Sequence, residues 1–168
     1  GVSALGAISS NDGTIWTNNN LLTEWEQNTV LPQTLQQHEM TMLSDGRILI
    51  TGGNTGIVNT YFGTLTNEVV TWVAGSDLPE NFYAHTCTLL QDNRILVIGG
   101  ANGLKTYFGT ISGNTITWEA GTAPPEAILQ HTCNLLPDNR ILITGGNFGS
   151  TRTATRFGTI SGNTITWA

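Results

Sequence analysis

Three histidines carry the first chemical signal in this chain: His38, His85 and His131 recur at intervals of 47 and 46 residues. Three imidazoles held at one height of a fold form a donor set that zinc accepts. Each histidine also heads the same string of residues. An Asp falls seven residues on (Asp45, Asp92, Asp138), an Arg nine on (Arg47, Arg94, Arg140), and the first of two glycines fourteen on (Gly52, Gly99, Gly145). A side chain that returns in every copy is what repetition alone predicts. The rings are therefore expected to be satisfied by backbone or by the adjacent unit, with zinc as the weaker reading and no cofactor expected.

The recurrent Asp and Arg invite a catalytic reading, but their local setting argues for structure. Each Asp sits in a tight turn, Asp45-Gly46, Asp92-Asn93 or Asp138-Asn139, where a short carboxylate favours hydrogen bonds to nearby backbone. Such dipeptides tolerate the positive φ of a type I′ hairpin. Each Arg opens the following apolar run and is expected to bridge to a neighbouring unit. The glycine pairs are not a phosphate loop, because neither a helix nor Lys-Ser/Thr follows; close backbone packing is their expected role. Cys87 and Cys133 lie two residues after their histidines, with Met40 at that place in the earlier copy. That exchange points to an apolar buried position and two free thiols.

These residues need elements to hold them, and every copy parses into four strands. Strand A starts at the histidine. Strand B is the apolar run 48–50, 95–98 or 141–143, unbroken and hence buried on both faces. Strand C contains Tyr61-Phe62-Gly63-Thr64, Tyr107-Phe108-Gly109-Thr110 or Arg156-Phe157-Gly158-Thr159, and strand D ends at Trp72, Trp118 or Trp167. Trp25 stands thirteen residues before His38, as Trp72 and Trp118 stand before His85 and His131. Residues 1–37 thus read as a partial copy, with strand B over 2–5, strand C over 15–17 and strand A missing. The tryptophans are expected to act as wedges in or between units, while Trp16 occupies a position that is Gly in the full copies.

A period near this length marks a supersecondary unit that buries its faces against its neighbours. The combination of an A-strand histidine, an apolar strand closing on Gly-Gly, an aromatic before Gly-Thr and a later Trp resembles the Kelch repeat across nearly the whole chain. The resemblance implies an all-β propeller of four-stranded blades around a channel. Here it implies about four blades in one domain: a partial blade 1–37, which lacks strand A, and full blades 38–84, 85–130 and 131–168. A compact ring closed within the chain is the first expectation; closure between chains, or a longer parent protein, are the alternatives. Some Kelch-like propellers are copper radical oxidases or sugar epimerases. This chain is shorter than those enzymes, and Tyr61, Tyr83 and Tyr107 are repeat or loop residues rather than a Tyr, Tyr, His, His copper set, so no enzymatic activity is expected.

Alternating strands place the A–B and C–D turns on one face and the long, divergent B–C and D–A connections on the other. Binding residues concentrate on loops set on a rigid scaffold. The loop face is therefore the expected ligand surface, with Phe82, Tyr83, Lys105, Phe148, Arg152 and Arg156 as candidate binding residues and Asp77, Glu80 and Glu126 beside them. Aromatics next to charges suit sugars or peptides.

Composition narrows the classes further. The 168 residues carry a net charge of -6, with one Lys and five Arg. There is no basic stripe to offset phosphates, so nucleic acid is not an expected partner. No run is apolar enough to span a membrane, and the first residues lack the charged and apolar regions of a signal segment. The expected function is a non-catalytic recognition module for a glycan or a protein. The alternative is a building block that associates with itself, as in a virion or phage appendage. The compartment stays open, with an extracellular or virion surface favoured by the Thr/Asn/Gly-rich composition.

Overall fold

A computed structural model describes residues 29–54, 56–147, 153 and 155–168, together with the backbone of Ile8–Ser9 and Ile15–Trp16. Ile8–Ser9 (β1) pairs with Ile15–Trp16 (β2), Ile8 opposite Trp16. The expected partial-blade strand at 2–5 and its Trp25 lie outside the described residues. The rest is all-β. Strands β3 (Glu39–Met42), β4 (Ile48–Thr51), β5 (Thr60–Thr66) and β6 (Val69–Ala74) form the first four-stranded sheet. Strands β7 (His85–Leu89), β8 (Ile95–Gly99), β9 (Thr106–Ser112) and β10 (Thr115–Ala120) form the second. Strands β11 (Thr132–Leu135), β12 (Arg140–Thr144), β13 (Thr155–Ser161) and β14 (Thr164–Trp167) form the third. Each sheet is antiparallel in chain order, and a single 3-10 turn at Gly100–Asn102 is the described helical element.

Turn chemistry sets the registers. Gly46 N donates to Leu43 O and Leu43 N to Arg47 O, with positive φ at Gly46 but not at Asp45. This is a type I turn followed by a left-handed residue, repeated with Asn93 and Asn139, and it replaces the expected type I′. The reason lies in Asp45, whose Oδ1 accepts from Arg47 N at 3.0 Å and so holds the carboxylate residue on the right-handed side. Opposite each Trp the strand C partner is glycine: Gly63↔Trp72, Gly109↔Trp118 and Gly158↔Trp167. A Cβ on Gly63 would lie 2.6 Å from the Trp72 ring, so only glycine lets that ring lie flat across the sheet.

The core sits between sheets. Leu43, Leu49 and Phe62 of the first sheet pack with Ile95 and Ile116 of the second, with Cys87, Leu89, Ile111 and Trp118 against them. The same layer recurs one sheet on, where Leu90, Leu96 and Phe108 meet Ile141 and Ile165, backed by Cys133, Leu135, Ile160 and Trp167. Each buried aliphatic or aromatic side chain contributes about 1.5–3 kcal/mol. Surface ion pairs contribute about 0–1 kcal/mol each. Apolar packing therefore dominates the inter-sheet contact.

The described sheets form an open row, with β7 between β3 and β11, and not a closed ring. This corrects the expectation of a ring completed within the chain, and it changes the fate of one position. Met40 is 63% exposed, because no described sheet lies in front of it, whereas Cys87 and Cys133 pack against the preceding sheet. Both cysteines are free thiols, and burial pushes each up to about 11.

Candidate functional site

Strand A begins at the same level in all three sheets, because the residue before each histidine turns the chain in the left-handed region: Gln37 (φ 57), Ala84 (φ 51) and Gln130 (φ 54). These residues are linked across sheets. Ala84 N donates to Gln37 O at 2.9 Å and Gln130 N to Ala84 O at 2.8 Å. The result is a cleft of about 230 Å³ at the loop-face end of the inner strands, lined by Gln37, His38, Glu39, Ala84, His85, Gln130 and His131.

The histidines are tied in sequence rather than gathered on one point. His85 Nε2 hydrogen-bonds Thr51 Oγ1 at 2.9 Å, and His131 Nε2 hydrogen-bonds Thr86 Oγ1 at 3.0 Å, each in the preceding sheet. Nδ1 of His38, His85 and His131 is buried with no protein partner. Among the described residues no group of three His, Cys, Asp or Glu is placed to hold a metal ion. The hydroxyl bonds account for one nitrogen of two rings, and Nδ1 of all three departs from the expectation that the ring nitrogens are satisfied by backbone or the adjacent unit. Burial holds His85 down at about 3 and His131 at about 4, and it raises the Glu39 carboxyl.

Those depressed values predict the acid limb of stability. The unfolded chain takes up protons on both histidines below about pH 6.5, while the folded chain keeps them neutral to about 4 and 3. Folded-state stability should therefore fall by about 1.4 kcal/mol per pH unit per histidine as pH drops from about 6.5 toward 4. Urea midpoints between pH 7 and 4 check this, and His85→Gln should flatten the slope by one proton.

The loop-face candidates divide. Phe82 is 0% exposed, against the expectation of a surface aromatic. It packs with Leu78 and Val97 and stands edge-on to His85 and Tyr107, with centroids at 5.6 and 5.8 Å. Its loop is drawn inward because Gly53 N donates to Phe82 O at 2.8 Å, fixing the backbone against the first sheet. Tyr83 is half-buried and precedes Ala84, which lines the cleft. Lys105 is exposed and pairs with Glu80 at 3.4 Å, and Arg156 pairs with Glu126 at 3.3 Å. Phe148 and Arg152 lie outside the described residues. Glu80 also accepts from Tyr107 Oη at 2.6 Å, which pushes that phenol up to about 12. Asp77 accepts from Asn59 at 3.1 Å.

The turn face holds a second cleft, of about 240 Å³, lined by Leu43, Ser44, Asp45, Arg47, Leu89, Asn93, Ile111 and Gly113. It is occupied along one wall by a clasp. Arg47 pairs with Asp45 at 2.7 Å, lies over the Phe62 ring at 4.6 Å, and donates from Nη1 to Gly113 O and Asn114 Oδ1, both at 2.9 Å. Arg94 repeats this with Asp92, Phe108, Gly162 O and Asn163 Oδ1. Hydrogen bonds from the arginine hold Asp45 and Asp138 below the usual carboxylate range. In Asp92 burial pulls upward and the bonds from Arg94 outweigh it. The Asp and Arg residues thus hold the turns, and Arg47 and Arg94 reach into the next sheet as their position implied.

No protein-family model and no curated protein matches this chain. Among solved structures, a fungal alcohol oxidase of the AA5 family in complex with copper superposes with a TM-score of 0.54 at 16% identity. The likeness is one of fold. It covers 80% of this chain but 30% of the oxidase chain, so the chain spans under a third of that enzyme's length. The donors here do not fit copper: the three histidines do not converge, two of them are bound to threonine hydroxyls, and Tyr107 is bound to Glu80. Among the described residues no helix is long and apolar enough to cross a membrane.

Proposed function

We propose that the three sheets are Kelch-like propeller blades and that the domain is a non-catalytic recognition module for a glycan, bound in the cleft where the A strands begin. The observation that carries this reading is a single cleft of about 230 Å³ lined by Gln37, His38, Glu39, His85, Gln130 and His131. Amide and carboxyl groups at a concave site are partners that sugar hydroxyls need, and Tyr83, one residue before Ala84 of the lining, is the candidate stacking ring. The domain's acidity does not matter to a neutral ligand, so binding rests on hydroxyl hydrogen bonds and stacking. A protein partner on the same face is the second class of ligand.

Calorimetric titration with a panel of neutral saccharides tests the proposal. A ligand should emerge whose affinity falls at least tenfold in Gln130→Ala and in Tyr83→Ala while both variants keep their unfolding midpoints. A saccharide that binds these variants and the parent chain equally would remove the cleft from the account.

A further inference from the structure

The two ends of the row of sheets are unlike and match each other. Each internal contact is asymmetric. The upstream sheet offers a leucine pair, a phenylalanine and an arginine; the downstream sheet offers three apolar side chains and a C–D turn that the arginine grips. Among the described residues two such contacts are made, and one half of a third is left at each end of the row.

At the far end, the third sheet presents the upstream half. Arg140 pairs with Asp138 at 2.7 Å and lies over the Phe157 ring at 4.9 Å, as its counterparts do. Its side chain is 43% exposed where Arg47 and Arg94 are 21% and 19%. Phe157 is 36% exposed where Phe62 and Phe108 are 2% and 1%. The guanidinium is held in the clasping posture with no described turn to clasp.

At the near end, the first sheet presents the downstream half. Met40, Met42 and Leu65 are 63%, 61% and 57% exposed, and they occupy the repeat positions of Cys87, Leu89 and Ile111, which pack against the preceding sheet. The turn at this end is Asn67-Glu68, with φ of 49 and 67. Glu68 stands where Asn114 and Asn163 accept from an arginine. A glutamate with positive φ is uncommon, and here it puts an exposed acidic residue at the repeat position that accepts from a guanidinium in the other two turns. Residues 1–37 contain neither Arg nor Lys, so the segment preceding this sheet cannot supply that cation.

We infer that the first sheet of one copy of this chain docks on the third sheet of a second copy. In that contact Arg140 grips the Asn67 carbonyl and the Glu68 carboxylate, and Phe157 is covered by Met40, Met42 and Leu65. The contact is heterologous, so it closes into a ring if the rotation per sheet divides evenly and otherwise extends as a filament. It continues the packing already made twice within the chain. In this contact a charge-assisted Arg–Glu pair replaces the neutral Arg–Asn bond of the two internal contacts.

Sedimentation velocity on the full chain at low salt, over a hundredfold range of concentration, tests the inference. Association is expected, and Glu68→Arg or Arg140→Glu alone should weaken it at least tenfold without changing far-UV circular dichroism. An equimolar mixture of the two variants should regain it, because every contact between unlike variants can then pair opposite charges. A parent chain that stays monomeric throughout, or single variants that associate as the parent does, would overturn the inference, as would a mixture that stays as weak as its components.

Discussion

Phe108→Ala is expected to lower the stability of the fold by about 3–5 kcal/mol, while Phe157→Ala, the same repeat position one sheet on, should cost under about 1 kcal/mol. The two side chains sit in the same local sequence, Phe-Gly-Thr, and each lies beneath an arginine, Arg94 or Arg140. Their cover differs. Phe108 is 1% exposed because the third sheet lies over it, and Phe157 is 36% exposed because no described sheet does. Truncating Phe108 opens a cavity among Leu96, Ile141 and Ile165, whereas truncating Phe157 mainly trims a surface. Urea midpoints of the two variants at low protein concentration, where chains are apart, measure the difference directly. Equal losses would mean that the sheets do not bury these residues in the order described.

Gly99→Ala should be comparably severe, at about 3 kcal/mol or more. Gly99 has φ +71, and a Cβ there would lie 2.5 Å from the Ile128 carbonyl and 2.8 Å from His131 Cε1. The carbonyl cannot yield cheaply, because Ile128 O accepts from Gly100 N at 2.8 Å and ties the second sheet to the loop of the third. Gly113 provides the control. It too has positive φ, +59, but a Cβ there meets nothing within 4 Å. Gly113→Ala should therefore cost only the backbone strain, about 1 kcal/mol. Thermal unfolding of the pair separates steric collision from conformational strain.

Much of the fold is legible in the sequence, because a repeat supplies three readings of each element. The unbroken apolar runs at 48–50 and 95–98 became central strands buried on both faces, while the run at 141–143 is buried on one face with Leu142 half-buried on the other; the Asp of each copy makes a local turn bond, and the Arg of the first two copies a clasp. The glycine pairs allow close backbone approach, as their setting implied. What repetition conceals is position along the array. Met40 reads as buried because Cys87 and Cys133 do, yet burial at that place needs a preceding sheet, which the described residues do not contain. Phe82 reads as an exposed loop aromatic because it lies in the long connection between strands D and A. One backbone bond from Gly53 turns it into the core. The cleft was harder to see, since its shape comes from three left-handed residues, Gln37, Ala84 and Gln130, that share a conformation but not a residue type.

The glycan proposal rests on that cleft, and the three imidazoles in its lining report on its occupancy without any mutation. Long-range nitrogen-15 NMR spectra of the three histidine rings, recorded at pH 7 with and without the saccharide selected by calorimetry, give the most direct test. The account predicts neutral rings for His85 and His131 in both states, with the resonances of at least two of the three histidines shifting in proportion to occupancy. Saturating ligand that leaves all three rings unmoved would place binding elsewhere and contradict the account.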